Sequence, residues 1–226
     1  MMRVLAMVAL IIVLVIAAFA AWWLSQTPTY TYRFRLMIEA EVDGVLRSGA
    51  SVIEVRTTDF KVGLPETKGL RSSVRGEAVF VDLGNGRNVF ATLGFGPNGN
   101  EDKIDRLAYI AFSQRDPRLE IKDLSKLTGT APLAGDLIPT LVTFTDLNDP
   151  KTARVIRPEE FEQAFGPGVR FKRALIEMTN DPVTTRIEEK MPWLRSLKGY
   201  LAGPQPDLTN SRPSRNLTGN ELIKGL

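Results

Sequence analysis

Asp146, Asn148 and Asp149 place three oxygen-bearing side chains within TDLNDPKTAR, and the pattern Asn-Asp-Pro-x-Thr-x-Arg returns at Asn180 to Arg186 in TNDPVTTRIEEKMPWL. Oxygen ligands crowded into one loop are the material of a calcium site. The calcium-loop pattern, however, alternates its ligands and then needs a glycine and a distal glutamate, and Pro150 stands where the chain would have to keep turning. A strand ending is the simpler reading. Asn and Asp side chains favour local turns, and proline cannot donate to a ladder and pushes its predecessor out of the helical region. Asp149 and Asp181 are expected to hold these turns, and Trp193 to pack rather than bind. Asp146, Asp149, Asp181 and Trp193 are therefore surface candidates only; none defines a catalytic group, a cofactor site or a metal site.

The chain contains no Cys and no His. Disulfides, thiolate nucleophiles and Cys-ligated metals are excluded, as are the Ser-His-Asp arrangement and the imidazole general base. What remains for catalysis is carboxylate, Lys, Tyr, Ser and Thr. Glu159, Glu160 and Glu162, like Glu188 and Glu189, read as solvated helix faces, although two carboxylates brought together by the fold could do acid–base work. No G-x-S-x-G or S-x-x-K pattern occurs. Gly94 to Gly99, GFGPNG, matches G-x-G-x-x-G. A dinucleotide fingerprint, though, belongs in a parallel strand-helix-strand unit, whereas this stretch follows a hairpin. The formal net charge of +3 comes from 29 basic and 26 acidic residues, too balanced for a nucleic-acid footprint. Composition thus argues against the common enzyme classes and implies no cofactor.

Those residues must be positioned by the elements around them, and the first is not part of a globular core. Val4 to Leu24 carries no charge. At ~1.5 Å per residue a helix of that length spans roughly 30 Å, the thickness of a bilayer core. Ala18-Phe19-Ala20 resembles a signal-peptide cleavage site, but the apolar run is longer than such segments carry, and Trp22-Trp23 suit an interfacial belt. A retained anchor over residues 1–24 is the preferred reading. The basic residues flanking it are nearly balanced; export of the bulk of the chain is the preferred orientation.

After a linker at 25–29, Tyr30 to Val42 places apolar or aromatic residues at every even position, a period of two that buries one face of a strand. Asp43-Gly44 supplies a tight hairpin into a second strand, Leu46 to Thr57. The device recurs with Val74 to Leu83, Gly84-Asn85-Gly86 and Asn88 to Leu93. Further strands are expected at Leu137 to Thr145 and Val169 to Thr179. Asn100 reads as the cap of a helix whose apolar face is Ile104, Leu107, Ala108 and Ala111. Arg157-Pro158-Glu159-Glu160 opens another, closed at Gly166. Thr185 and Glu188 form a capping-box pattern before Ile187, Met191 and Leu194, a stripe that Pro192 interrupts. Residues 200–226 are polar and proline-bearing, so a flexible tail is expected there.

Together SVIEVR, VRGEAVFVDLGNG, LVTFTDLNDP, FGPGVRFKR and TNDPVTTRIEEKMPWL resemble a family of short uncharacterised bacterial proteins with an N-terminal membrane anchor or signal segment. The resemblance covers roughly Tyr30 to Leu197. It implies a bacterial source and an envelope location, and brings no activity with it; together with the anchor and its preferred orientation, the expected location is the bacterial inner membrane with the soluble domain in the periplasm. The expectation is a single α+β domain over 30–199, mainly antiparallel β-sheet with a few short helices, preceded by one transmembrane helix. The function class that fits is a non-catalytic binding or scaffolding module of the envelope, its partners the membrane and another envelope protein. The alternatives are a domain that binds an apolar or lipid-like ligand and, third, a hydrolase that works without His.

Overall fold

The computed structural model describes residues 2–62, 64, 66, 68–96, 102–197, 201 and 217–225. The chain divides into two compact units, residues 1–31 with 56–72, and residues 32–55 with 73–226. The protein is α+β, with mainly antiparallel sheets and short helices after one long apolar helix.

In the first unit, α1 (Met2–Ser25) is long and apolar enough to cross a membrane, and none of Ala6–Trp23 is buried. Three residues separate it from β1 (Thr29–Val42). The end of β2 (Val45–Phe60) lies along that linker, where the Asp59 amide donates to the Pro28 carbonyl at 2.9 Å and the Lys61 amide to Gln26 at 3.0 Å. β3 (Gly69–Glu77) starts beside it, the Thr57 and Ser72 hydroxyls sharing a 2.9 Å bond.

The second unit is built on alternation. Tyr32, Phe34, Leu36, Ile38, Ala40 and Val42 are all buried, as the even positions of β1 require. The Asp43-Gly44 turn has φ of 50° and 79°, both residues left-handed, which matches the twist of the strands it joins. β1 also pairs antiparallel with β11 (Val169–Met178), Leu36 facing Ile176. With β8 (Thr130–Leu133) and the terminal β12 (Ile223–Lys224), the six-stranded order is β12-β3-β2-β1-β11-β8.

A second sheet has the order β10-β9-β5-β4, from β4 (Val79–Gly84), β5 (Arg87–Ala91), β9 (Leu141–Phe144) and β10 (Ala153–Ile156). Its two faces serve two cores. Val79, Val81, Val89, Ala91 and Leu141 pack with the even residues of β1 and with α2 (Leu107–Ser113). Phe90, Val142 and Phe144 face the other way, onto Ile187, Met191, Leu194, Leu217 and Leu222. All four residues of β9 are consequently buried, and the strand reads as a continuous run rather than an alternation. Asn88 extends the β5–β9 ladder with its side chain: its amide donates to the Phe144 carbonyl at 2.8 Å and accepts from the Phe144 amide at 3.0 Å.

Several boundaries differ from the sequence expectation for identifiable reasons. Val74 to Leu83 is not one strand. It breaks at Ala78, whose amide donates to the Leu222 carbonyl at 2.8 Å, so β3 and β4 enter different sheets. The helix expected from Asn100 begins at Ile104, as a short 3-10 turn leading into α2, because Asp102–Lys103 forms β7 against β6 (Gly94–Phe95). Asn100 itself lies outside the described residues. Its expected apolar face is nevertheless the buried one. Pro158–Glu160 and α3 (Phe161–Phe165) form the next helical segment, closed at Gly166 with φ of 98°. The expected flexible tail lies partly outside the described residues, but 217–225 is folded. Leu217 and Leu222 are buried and Ile223 pairs with Glu77.

Candidate functional site

The first Asn-Asp-Pro stretch is the loop between β9 and β10. Asp149 accepts from the Lys151 amide at 2.9 Å, capping a 3-10 turn at Pro150–Thr152. Asp146 accepts from the Asn148 amide at 2.9 Å, and the Thr152 hydroxyl closes the loop onto the Asp146 and Asp149 carbonyls at 2.9 and 2.8 Å. These carboxylates therefore point into their own turn. Among the described residues no group of three or more acidic side chains is placed to hold a metal ion.

The second stretch is organised differently. Asp181 does not cap its turn with its carboxylate; it forms an ion pair with Arg35, which also pairs with Glu177. Arg33 donates to the Asn180 and Asp181 carbonyls, each at 3.3 Å. These contacts belong to a charged ladder on the odd positions of β1, with Arg33–Glu54 at 2.7 Å, Glu39–Arg173 at 2.7 Å and Glu41–Lys172 at 3.1 Å. Repeated sequence has thus produced two different local solutions, because only the second copy lies against arginines of a neighbouring strand.

Beyond Asp181 the chain is pinned to the sheet. Thr184 Oγ1 accepts from the Val52 amide at 2.9 Å, and the Thr184 amide donates to the Val52 carbonyl at 3.2 Å. The short α4 (Ile187–Lys190) then begins, but not with the Thr185–Glu188 capping box. Glu77, buried at the end of β3, accepts from the Ile187 amide at 2.9 Å and takes that place. Ile187, Met191 and Leu194 are buried as expected. The helix stops at Lys190, since the residue before Pro192 is driven out of the helical region. Trp193 packs on Phe144 with ring centroids 6.1 Å apart, and its indole N–H donates to the Leu147 carbonyl at 2.6 Å. It ties one Asn-Asp-Pro loop to the segment that follows the other.

This arrangement leaves an open groove of about 520 Å³ between the 182–187 segment and the β3–β4 junction. Phe80, Pro182 and Val183 give it apolar walls, and Arg186 and Lys190 give it positive charge. The Lys190 ammonium stands over the Phe80 ring at 5.0 Å, a cation–π contact that holds it at the groove. Glu77 also lines it, but its carboxylate is engaged by the helix cap. The groove offers charge and apolar surface rather than an assembled nucleophile and base. Sequence reading missed it, because its walls come from segments far apart in the chain.

A second polar cluster gathers around Tyr32. Its hydroxyl donates to the Asp105 carbonyl at 2.8 Å, and burial, reinforced by the Asp105 charge, pushes the phenol far above its ordinary range. Burial lowers the Lys224 ammonium against the opposing pull of Glu221 and Asp105. In the glycine stretch, Gly94–Phe95 pairs antiparallel with Asp102–Lys103, unlike the parallel unit to which a dinucleotide fingerprint belongs, and residues 97–99 lie outside the described residues. No protein-family model, curated protein or solved structure matches the chain.

Proposed function

We propose that this chain is a membrane-anchored, non-catalytic binding module of the bacterial envelope, its soluble part exported to the periplasm. The observation that carries the reading is α1, an apolar helix with none of Ala6–Trp23 buried, joined to a folded sheet by only three residues. A water-exposed helix of that composition would be costly, and a bilayer removes the cost. The anchor keeps the domain at the surface, where it holds another envelope protein. The groove beside α4 is the face assigned to that partner. Its apolar walls and its Arg186 and Lys190 charges suit an extended segment carrying a carboxylate.

An apolar or lipid-like ligand would draw on the aromatic face of β1, but the even positions from Tyr32 to Val42 are buried in the packed core. A binding role therefore has the better support.

Membrane fractionation and in-cell crosslinking test the proposal together. The full chain should stay with membranes after alkaline carbonate extraction, and a chain lacking residues 1–24 should not. A reporter fused after Leu226 should be active outside the cytoplasm. A photo-crosslinker at Val183 should capture one envelope protein, and K190E should abolish the capture. Carbonate-resistant binding without residues 1–24 would remove the anchor, and an unchanged adduct in K190E would remove the groove.

A further inference from the structure

We propose that Leu64, flanked by Lys61, Lys68 and Arg71, forms a second membrane contact that lies in an anionic headgroup layer beside the end of α1; this rests on reading α1 as the anchor. The β2 end follows the linker back to the helix, and the Lys61 amide bonds to Gln26, one residue past the last residue of α1. Trp22 and Trp23 sit in the final turn of α1, each 49% exposed, where aromatic side chains mark the boundary between lipid and water. Lys61 is therefore held at the level of that boundary by backbone hydrogen bonds.

From there the chain runs through residues 61–68 before β3 begins. Leu64 follows Lys61 by three residues, a separation of at most about 10 Å, which keeps it within reach of the headgroup and upper acyl region. Leu64 is 68% exposed and Leu70 52% exposed, while Lys61, Lys68 and Arg71 are also exposed. Single exposed leucines are ordinary on soluble surfaces. What sets these apart is their place shortly after Lys61, whose amide is bonded to the residue after α1, and the basic residues around them, with Glu66 the one acid between Lys61 and Arg71. Apolar tips supply insertion and basic flanks supply attraction to acidic lipid, the two signals that interfacial binding combines. Arg71 is held over the Phe60 ring at 5.1 Å, so this charge is fixed near the loop rather than free to swing away.

The absence of cysteine makes the test direct, since each introduced thiol is unique. L64C, A18C and N85C in the full chain would carry a polarity-sensitive dye in phosphatidylcholine vesicles with and without phosphatidylglycerol. A18C reports the span and N85C an exposed hairpin turn. The expected result is a blue-shifted L64C label, quenched from water about threefold less than N85C in the acidic vesicles, with the protection reduced by K61Q/K68Q/R71Q. An L64C label as quenchable as N85C beside a protected A18C would overturn this contact while leaving the anchor standing. An exposed A18C would overturn both.

Discussion

The buried Glu77 carboxylate accepts the Ile187 amide at 2.9 Å, so the end of one strand caps a helix that begins 110 residues later. The first amides of a helix have no partner within it, and a carboxylate there satisfies one and is favoured by the helix end. E77A leaves the amide unpaired in a buried place and should cost about 1–3 kcal/mol. E77Q keeps an acceptor oxygen and should lose less. Urea unfolding of the full chain in detergent would measure both; equal losses would mean that the carboxyl does something other than cap.

Gly49 is set by a contact rather than by a turn. A Cβ there would run into the Phe80 carbonyl, with the carbonyl carbon 2.8 Å away and the Val79 side chain at 3.2 Å. Backbone of β4 has no rotamer to move aside. G49A should therefore destabilise by about 1–3 kcal/mol, as overpacking does. The control is G44A at the hairpin, where no atom lies within 4 Å and the penalty comes from φ of 79° alone. The two variants should differ in a crystal or NMR structure: G49A should move β2 from β4, and G44A should distort only its turn.

The two Asn-Asp-Pro loops show how far the sequence could be read. That both end strands was legible, because Asn, Asp and Pro act through their own backbone. What Asp181 bonds to was not, because Arg35 lies 146 residues away and meets it only through the β1–β11 pairing. The same division runs through the fold. β1 announced itself by period two, yet the break at Ala78 goes with a hydrogen bond from its amide to the Leu222 carbonyl, in a stretch whose polarity suggested a tail. The candidates Asp146 and Asp149 proved to be turn formers, while the groove arose from the meeting of distant segments that no local pattern marks.

That division predicts different behaviour from matching substitutions. D149A removes the side-chain bond to the Lys151 amide and should cost about 1 kcal/mol at any salt concentration. D181A removes an exposed ion pair, 54% exposed on the carboxylate side, and Arg35 keeps Glu177. Its cost should be at most about 1 kcal/mol and should shrink as salt is added. A salt-insensitive loss for D181A would show that the carboxylate supports the turn after all.

Tyr32 gives an alkaline signature. Its phenol is raised by burial first and the Asp105 charge second, whereas in the unfolded chain it ionises near the ordinary value of about 10. Above that value the folded state retains a proton that the unfolded state has released. Stability contributed by Tyr32 is thus complete below the unfolded pKa and falls as pH rises, by up to about 1.4 kcal/mol per pH unit. Y32F loses the hydrogen bond to Asp105, costing about 0.5–1.5 kcal/mol at neutral pH. Its unfolding midpoint should then decline less steeply than the parent's between about pH 10 and 11. Parallel curves would mean that Tyr32 ionises in the folded state as it does in the unfolded chain.

Leu222 decides whether the terminal stretch is decoration or structure. It is fully buried, and its carbonyl receives the Ala78 amide at the break between β3 and β4. Its neighbour Ile223 extends the six-stranded sheet against Glu77, the residue that caps α4. L222A should therefore cost about 2–5 kcal/mol, the range for emptying a leucine site in a packed core. Because the same junction carries the Glu77 cap, L222A and E77A should not be additive, and a double-mutant cycle should give a coupling of about 0.5–3 kcal/mol. Simple additivity would place the last strand and the helix cap in independent parts of the fold, against the shared junction at Glu77 and Ala78.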